Sequence, residues 1–253
     1  MPALAELPID QRAFLSIDTS DIDEARRLAG IARDAGASVI KLGLQLESAT
    51  SWTTCSEVAD EAGLDWVADA KLDDIPNTVE GTMKNIVGKY HPPIAVTVHC
   101  NSGVDSLRAA NDVAKDKGIT ILGVTQLTSV EEKETKHTFG FGRRSLVRRR
   151  MDDILEAGVG GFVASARELK PVYLRYERFR HLFGMIPGTR SLGVAANDQK
   201  NTDTPFNAML YGAGALVIGR QVTGSKNPRA AFSAVTEEMR SGVAFRERLK
   251  RIA

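Results

Sequence analysis

The chain has 253 residues, and 33 Lys+Arg against 32 Asp+Glu leave a formal net charge of +1. A composition of 43% hydrophobic and 26% charged residues is that of a soluble globular protein long enough to bury a full core. The balanced charge excludes a general nucleic-acid binder, whose counterion-driven affinity needs a basic surplus. No apolar run approaches the ~20 residues that span a bilayer. The opening stretch Met1 to Leu7 has no basic region and meets Glu6 at once, so no signal peptide is expected. Cys55 and Cys100 are too few to staple a domain of this size, which points to reduced thiols and a cytoplasmic protein.

Eight short β-branched runs read as strands: 14–18, 38–42, 66–71, 94–99, 119–124, 160–165, 181–186 and 215–219. They are apolar on both faces, as in Ala95-Val96-Thr97-Val98, which is the mark of buried parallel strands. Helical patterns lie between them at 21–35, 51–62, 103–117 and 145–157, followed by Gly36, Gly63, Gly118 and Gly158. Eight strand–helix units in one unbroken chain predict a single α/β domain, a (β/α)₈ TIM barrel. A doubly wound open sheet is the structural alternative, since strand counting does not establish closure. Two connections exceed the usual ~2–6 residues, at 128–144 and 188–204. Both follow strand C-termini, where barrels carry their active sites, and both read as lids.

Polar residues collect at those same strand ends. Asp18 ends the first strand, Lys41 the second, Asp69 and Lys71 the third, with Asp73 and Asp74 just beyond. His99, Ser165 and Arg220 follow at strands four, six and eight. Asp69 and Lys71 are two apart, so on a strand they share a face. Alternating carboxylates and ammoniums can compensate one another, whereas an unpaired buried charge is expensive. A purely structural ion-pair network does not explain why the charges concentrate at the catalytic end. Gly219-Arg220 suits a phosphate, glycine admitting the backbone N–H and arginine supplying a fork of donors.

The run Asp69-Ala70-Lys71-Leu72-Asp73-Asp74-Ile75-Pro76-Asn77-Thr78 resembles the D-x-K-x-x-D-I motif of the orotidine 5′-phosphate decarboxylase family. Ser16-Ile17-Asp18, Ile40-Lys41-Leu42-Gly43, Thr97-Val98-His99, the run from Val124 to Ser129, and Ile218-Gly219-Arg220 resemble other strands of that family. The likeness thus spans most of the chain. It implies decarboxylation of orotidine 5′-monophosphate to uridine 5′-monophosphate and CO2, the last step of de novo UMP synthesis, with no cofactor and no metal. It further implies Lys71 as the acid that protonates carbon 6, and Asp69 beside the departing carboxylate. By the same resemblance, Lys41 and Asp74 are expected to complete the charge network, and Asp18 and Lys41 to hold the ribose. It likewise implies that Thr128 reads the pyrimidine edge and that Gln199, Gly219 and Arg220 grip the phosphate. Asp74 and Thr78 are supplied by the partner subunit of a homodimer with shared active sites, in the pattern that the resemblance implies. The chain departs from the family at Ile186-Pro187-Gly188-Thr189-Arg190, where Thr-Pro-Gly-Ile-Arg is usual, and in a longer, Glu- and Arg-rich segment after strand five.

Three other functions fit parts of this pattern. A magnesium-dependent sugar-phosphate decarboxylase or aldolase of the same superfamily would want an acid where Lys41 stands. A non-catalytic phosphoribosyl-ligand-binding homologue would not need Asp69, Lys71 and Asp74 intact. Another phosphate-binding barrel enzyme of amino-acid biosynthesis would lack the D-x-K-x-x-D run. His99-Cys100 reads as a satisfied histidine on the active-site floor, the alternative being half of a metal site. Arg143-Arg144 and Arg148-Arg149-Arg150 read as a solvated helix face, and Trp52 and Trp66 as core or interface residues.

Overall fold

The computed structural model describes residues 4–192 and 203–252. Eight parallel strands run in sequence order around a closed barrel. They are β1 (Ala13–Ile17), β2 (Val39–Gly43), β3 (Asp65–Leu72), β4 (Ala95–His99), β5 (Thr120–Val124), β6 (Gly161–Val163), β7 (Phe183–Pro187) and β8 (Ala215–Ile218). Pairing of β1 with β8, Leu15 opposite Ile218, closes the ring and rules out the open sheet. Among the described residues no helix is long and apolar enough to cross a membrane.

Alternation along the strands divides the core. Phe14, Val39, Val67, Leu122, Val163, Met185 and Val217 fill the barrel interior. Leu15, Ile40, Ala68, Val96, Ile121, Phe162, Ile186 and Leu216 pack outward against the helices. Leu4 and Leu7 join the interior cluster and plug the N-terminal end. The Arg12 guanidinium pins that plug, donating to the carbonyls of Leu7 (2.7 Å) and Ala5 (2.8 Å). Among the described residues the barrel interior is apolar below, and a cavity lies at the C-terminal ends of its strands. Gly161 is needed for closure at β6, because a Cβ there would meet the Phe183 carbonyl oxygen and Leu122 Cδ2 at 2.6 Å each.

The expected helices form, and Gly36 and Gly63 end theirs in the left-handed conformation (φ 100° and 65°). Strand six is shorter than expected, because Ser165 caps a helical turn instead. Its backbone N–H donates to Glu168 (2.9 Å) and its hydroxyl accepts from the Arg167 N–H (3.2 Å). The segment 128–144, expected as a loop, holds a helix over Glu132–Phe139, with acids in its first turn, Lys136 and His137 in its last, and Gly140 after it. Its only buried residue is Thr135, so it has no apolar stripe for sequence periodicity to reveal. Trp52 and Trp66 are core residues stacked 6.4 Å apart.

The solvated reading of the arginine cluster is overturned in part. Helix Arg143–Glu156 buries Arg143, Leu146, Val147, Arg150, Met151 and Ile154 on one face. Arg143 and Arg150 are two helical turns apart and so share that face. Arg143 pairs with buried Glu168 (2.8 Å) and donates to the carbonyls of Leu127 (3.0 Å) and Val130 (2.9 Å). It thus ties the segment after β5 to the turn after β6. Arg143→Ala would leave the Glu168 carboxylate buried without its cation, a loss of about 3–5 kcal/mol. Exposed Arg144→Ala should stay within about 0.5 kcal/mol of wild type. Urea unfolding of the two variants checks this, and equal stability would contradict the tie.

Candidate active site

The C-terminal mouth holds a cavity of about 740 Å³ lined by Asp18, Lys41, Asp69, Lys71, Thr128, Gly219 and Arg220, all expected from the sequence. Ser16, Gln126 and Arg190 also line it. Asp74 and Thr78 do not; they lie exposed on the turn after β3 and in the first turn of helix Pro76–Val87. Gln199 lies outside the described residues.

Register brings the charges together. Ser16 lies opposite Lys41 in the β1–β2 ladder, and Gly43 opposite Asp69 in the β2–β3 ladder. Gly43 packs directly against Asp69, where even a Cβ would lie in ordinary contact, 3.4 Å from the Asp69 Cβ and 3.8 Å from Oδ2. The result is a continuous alternation. Ser16 Oγ donates to Asp18 (2.7 Å), Lys41 Nζ reaches Asp18 (3.2 Å) and Asp69 (2.9 Å), and Lys71 Nζ reaches Asp69 at 2.7 Å. Both ammoniums converge on the same oxygen, Asp69 Oδ2. The other oxygen, Oδ1, accepts from Thr97 Oγ1 at 3.0 Å.

Burial governs the electrostatics. Lys41 and Asp69 are only 7% and 8% exposed. Burial alone pulls the Lys41 pKa down, but attraction to Asp69 and Asp18 outweighs it and leaves the ammonium more basic than usual. Burial likewise pushes Asp69 up, yet Lys41 and Lys71 together hold its carboxyl well below the usual carboxylate range. Asp69 is therefore a fixed anion at any physiological pH.

β3 is irregular where the chemistry sits. Its register against β4 advances from Ala68–Val96 to Leu72–Val98, so Asp69, Ala70 and Lys71 face Thr97 alone. Lys71 adopts φ 45°, the one non-glycine residue with positive φ among the described residues. Such a conformation costs about 1–3 kcal/mol for a residue with a Cβ and persists only where neighbours hold it. The Lys71 N–H has lost a regular ladder partner and donates to Thr97 Oγ1 instead (2.9 Å).

Beyond β3 the turn is tethered from below. Ser106 Oγ donates to the Asp74 carbonyl (2.8 Å), and Asn101 Nδ2 to Asp73 (3.3 Å). Arg150 in turn donates to Asn101. His99 is not on the cavity floor as expected. Its Nδ1 accepts from the Asn101 N–H (3.2 Å) and caps the turn after β4, while burial and Arg150 lower its pKa. Burial pushes the Cys100 thiol up to about 12, so it is protonated at neutral pH. Among the described residues no group of three or more His, Cys, Asp or Glu side chains is arranged to hold a metal.

The depressed Asp69 pKa has a consequence for stability. The unfolded chain binds a proton at Asp69 near the ordinary value of about 3.9, the folded one only at lower pH. Its contribution is complete above that value and is lost as pH falls toward the folded value. In urea unfolding, the stability difference between wild type and Asp69→Asn should therefore narrow by about 1 kcal/mol between pH 6 and pH 3. A difference independent of pH would contradict the assignment.

Comparison with known proteins bears on the family and the fold. Residues 11–235 match the orotidine 5′-phosphate decarboxylase / HUMPS family. The orotidine 5′-phosphate decarboxylase of Rhodospirillum rubrum is 32% identical over 234 residues, covering 89% of this chain and 93% of that protein. The Nitrobacter winogradskyi protein of the same name is 35% identical over 232 residues, covering 90% and 92%. The crystal structure of orotidine 5′-phosphate decarboxylase from Lactobacillus acidophilus superposes with a TM-score of 0.75 at 21% identity, over 90% of this chain and 99% of that one. The family match over most of its length, with relatives above 30% identity, makes the chain an enzyme of the orotidine 5′-phosphate decarboxylase family.

Proposed function

We propose that the cavity converts orotidine 5′-monophosphate to uridine 5′-monophosphate and CO2 in pyrimidine biosynthesis, with Lys71 as the proton donor and no cofactor. The observation that carries this reading is the alternation Asp18–Lys41–Asp69–Lys71 on one cavity wall, with Lys71 Nζ 2.7 Å from Asp69. Breaking the bond between carbon 6 and the carboxylate leaves an electron pair on a carbon with no neighbouring carbonyl to accept it. A preorganised ammonium answers that charge without reorganising during the reaction. The Lys71 proton passes to carbon 6 as CO2 departs, and the amine regains a proton from solvent. Asp69 holds Lys71 in line and stays ionised beside the departing carboxylate.

One ammonium does not account for barrier reductions that reach about 23 kcal/mol in the most proficient enzymes. Binding energy from the remote phosphate must be used at the reacting carbon. Gly219, Arg220 and Gln199 form the phosphate grip in this reading, and the Arg190 guanidinium on the same cavity adds to it. Asp18 and Lys41 take the ribose hydroxyls, and Thr128 the pyrimidine edge. Thr128 on the cavity wall agrees with a lid role for segment 128–144. Lys41 speaks against the magnesium-dependent alternative, because an ammonium stands where that enzyme would want an acid, and it is already paired with Asp69. A cytoplasmic location completes the reading, in keeping with Cys55 and Cys100 as free, buried thiols.

The homodimer belongs to the same proposal. Asp74 makes no ion pair among the described residues and stands exposed beside Ile75, itself 65% exposed. An exposed carboxylate on a tethered turn, outside the lining of its own cavity, suits delivery to a partner's site.

A spectrophotometric assay of orotidine 5′-monophosphate loss with chelator present tests the function. Activity should persist, and full loss restored by magnesium would favour the sugar-phosphate alternative. Lys71→Ala should abolish nearly all turnover while product affinity survives, because its contribution lies in the transition state. Substantial residual kcat would assign the proton elsewhere. For the shared site, inactive Lys71→Ala and Asp74→Ala chains are refolded together. Random pairing makes half the dimers mixed, each with one intact site, so activity should return to about a quarter of wild type. Mixed dimers without activity would return Asp74 to its own chain.

A further inference from the structure

We propose that Thr97 is a positioning residue for the reaction, its hydroxyl setting both the Asp69 carboxylate and the backbone that aims Lys71. This deepens the proposed decarboxylation and rests on Lys71 as its proton donor. Thr97 is fully buried on β4, beneath the cavity and absent from its wall. Its single hydroxyl proton goes to Asp69 Oδ1 (3.0 Å), while its oxygen accepts the Lys71 N–H (2.9 Å). One side chain thus joins both catalytic candidates of β3, at the point where three residues of β3 face Thr97 alone.

The geometry gives the hydroxyl two separable tasks. Lys71 stands at φ 45°, and the Thr97 oxygen is the acceptor its amide finds in that conformation. Lys71 Nζ and Lys41 Nζ both occupy Asp69 Oδ2, so Thr97 is the side chain that holds Oδ1. With Oδ1 released, the carboxylate can rotate about its terminal torsion, and the ammonium that follows Oδ2 shifts with it. Displacements of about 1 Å at a reacting group cost as much as 10²-fold in rate. The effect belongs in kcat rather than KM, because Thr97 does not reach the cavity where substrate would bind.

Thr97→Val keeps shape and volume but has no hydroxyl; Thr97→Ser keeps the hydroxyl. The valine variant should lose about 10- to 100-fold in kcat with KM within about threefold of wild type, and serine should restore kcat to within about fivefold. Wild-type kcat in valine, a serine variant no better than valine, or a loss that falls on KM would each overturn the proposal. If valine does not fold, Thr97→Ala takes its place under the same criteria. Failure of both to fold beside a fully active serine variant would make Thr97 a folding residue only. The Asp69 carboxyl midpoint, followed by ¹³C NMR, gives a readout that needs no turnover. Loss of a donated hydrogen bond should raise it in valine and leave it near wild type in serine. An inactive wild type would thus refute the proposed decarboxylation, while an unmoved midpoint in valine would refute the role of Thr97.

Discussion

The structure around the mouth of the barrel depends on one buried anion, the Asp69 carboxylate between two ammoniums. An ionised carboxylate at 8% exposure is tolerable only when fully compensated, and here each oxygen is engaged. Lys41 and Lys71 share Oδ2, and Thr97 takes Oδ1. Removing Asp69 or either of its lysines leaves a charge that the rest of the network does not balance. The interior below is apolar and plugged by Leu4 and Leu7, which confines this polar network to the open end.

That constraint explains local features that otherwise look like defects. β3 carries extra residues relative to β4, and Lys71 takes a backbone conformation that ordinary side chains avoid. The bulge lets Lys71 address the Asp69 oxygen that Lys41 also holds. The turn after β3 is then fixed by Ser106 and Asn101, with Arg150 behind. A strained strand end, a buried ion network and a tethered turn thus form one unit across β2, β3 and β4.

Much of this was legible in the sequence. Closed-barrel strands buried on both faces read as uninterrupted apolar runs, and their polar ends named the mouth. Asp69 and Lys71 two apart, with Lys41 on the neighbouring strand, were enough to place the network. What stayed hidden has physical reasons. Helix Glu132–Phe139 is almost wholly exposed, so no periodicity marks it. Arg143 is charged yet buried, because Glu168 meets it from a distant segment, and Arg150 is buried with one nitrogen donating to Asn101. Thr97 looked like one more β-branched strand residue. Only the register shift, which no sequence pattern reveals, turns its hydroxyl toward Asp69 and Lys71. His99 was expected on the floor, but its ring serves the turn that follows it.

The central claim is that Asp69 remains a charged, fully compensated anion. The direct measurement is a pH titration of its carboxyl carbon by ¹³C NMR in protein labelled at aspartate. The account predicts a resonance that stays at the ionised position down to a pH clearly below the usual aspartate midpoint of about 3.9. A midpoint at or above that value would mean that Lys41 and Lys71 do not outweigh burial, and would contradict the account at its base.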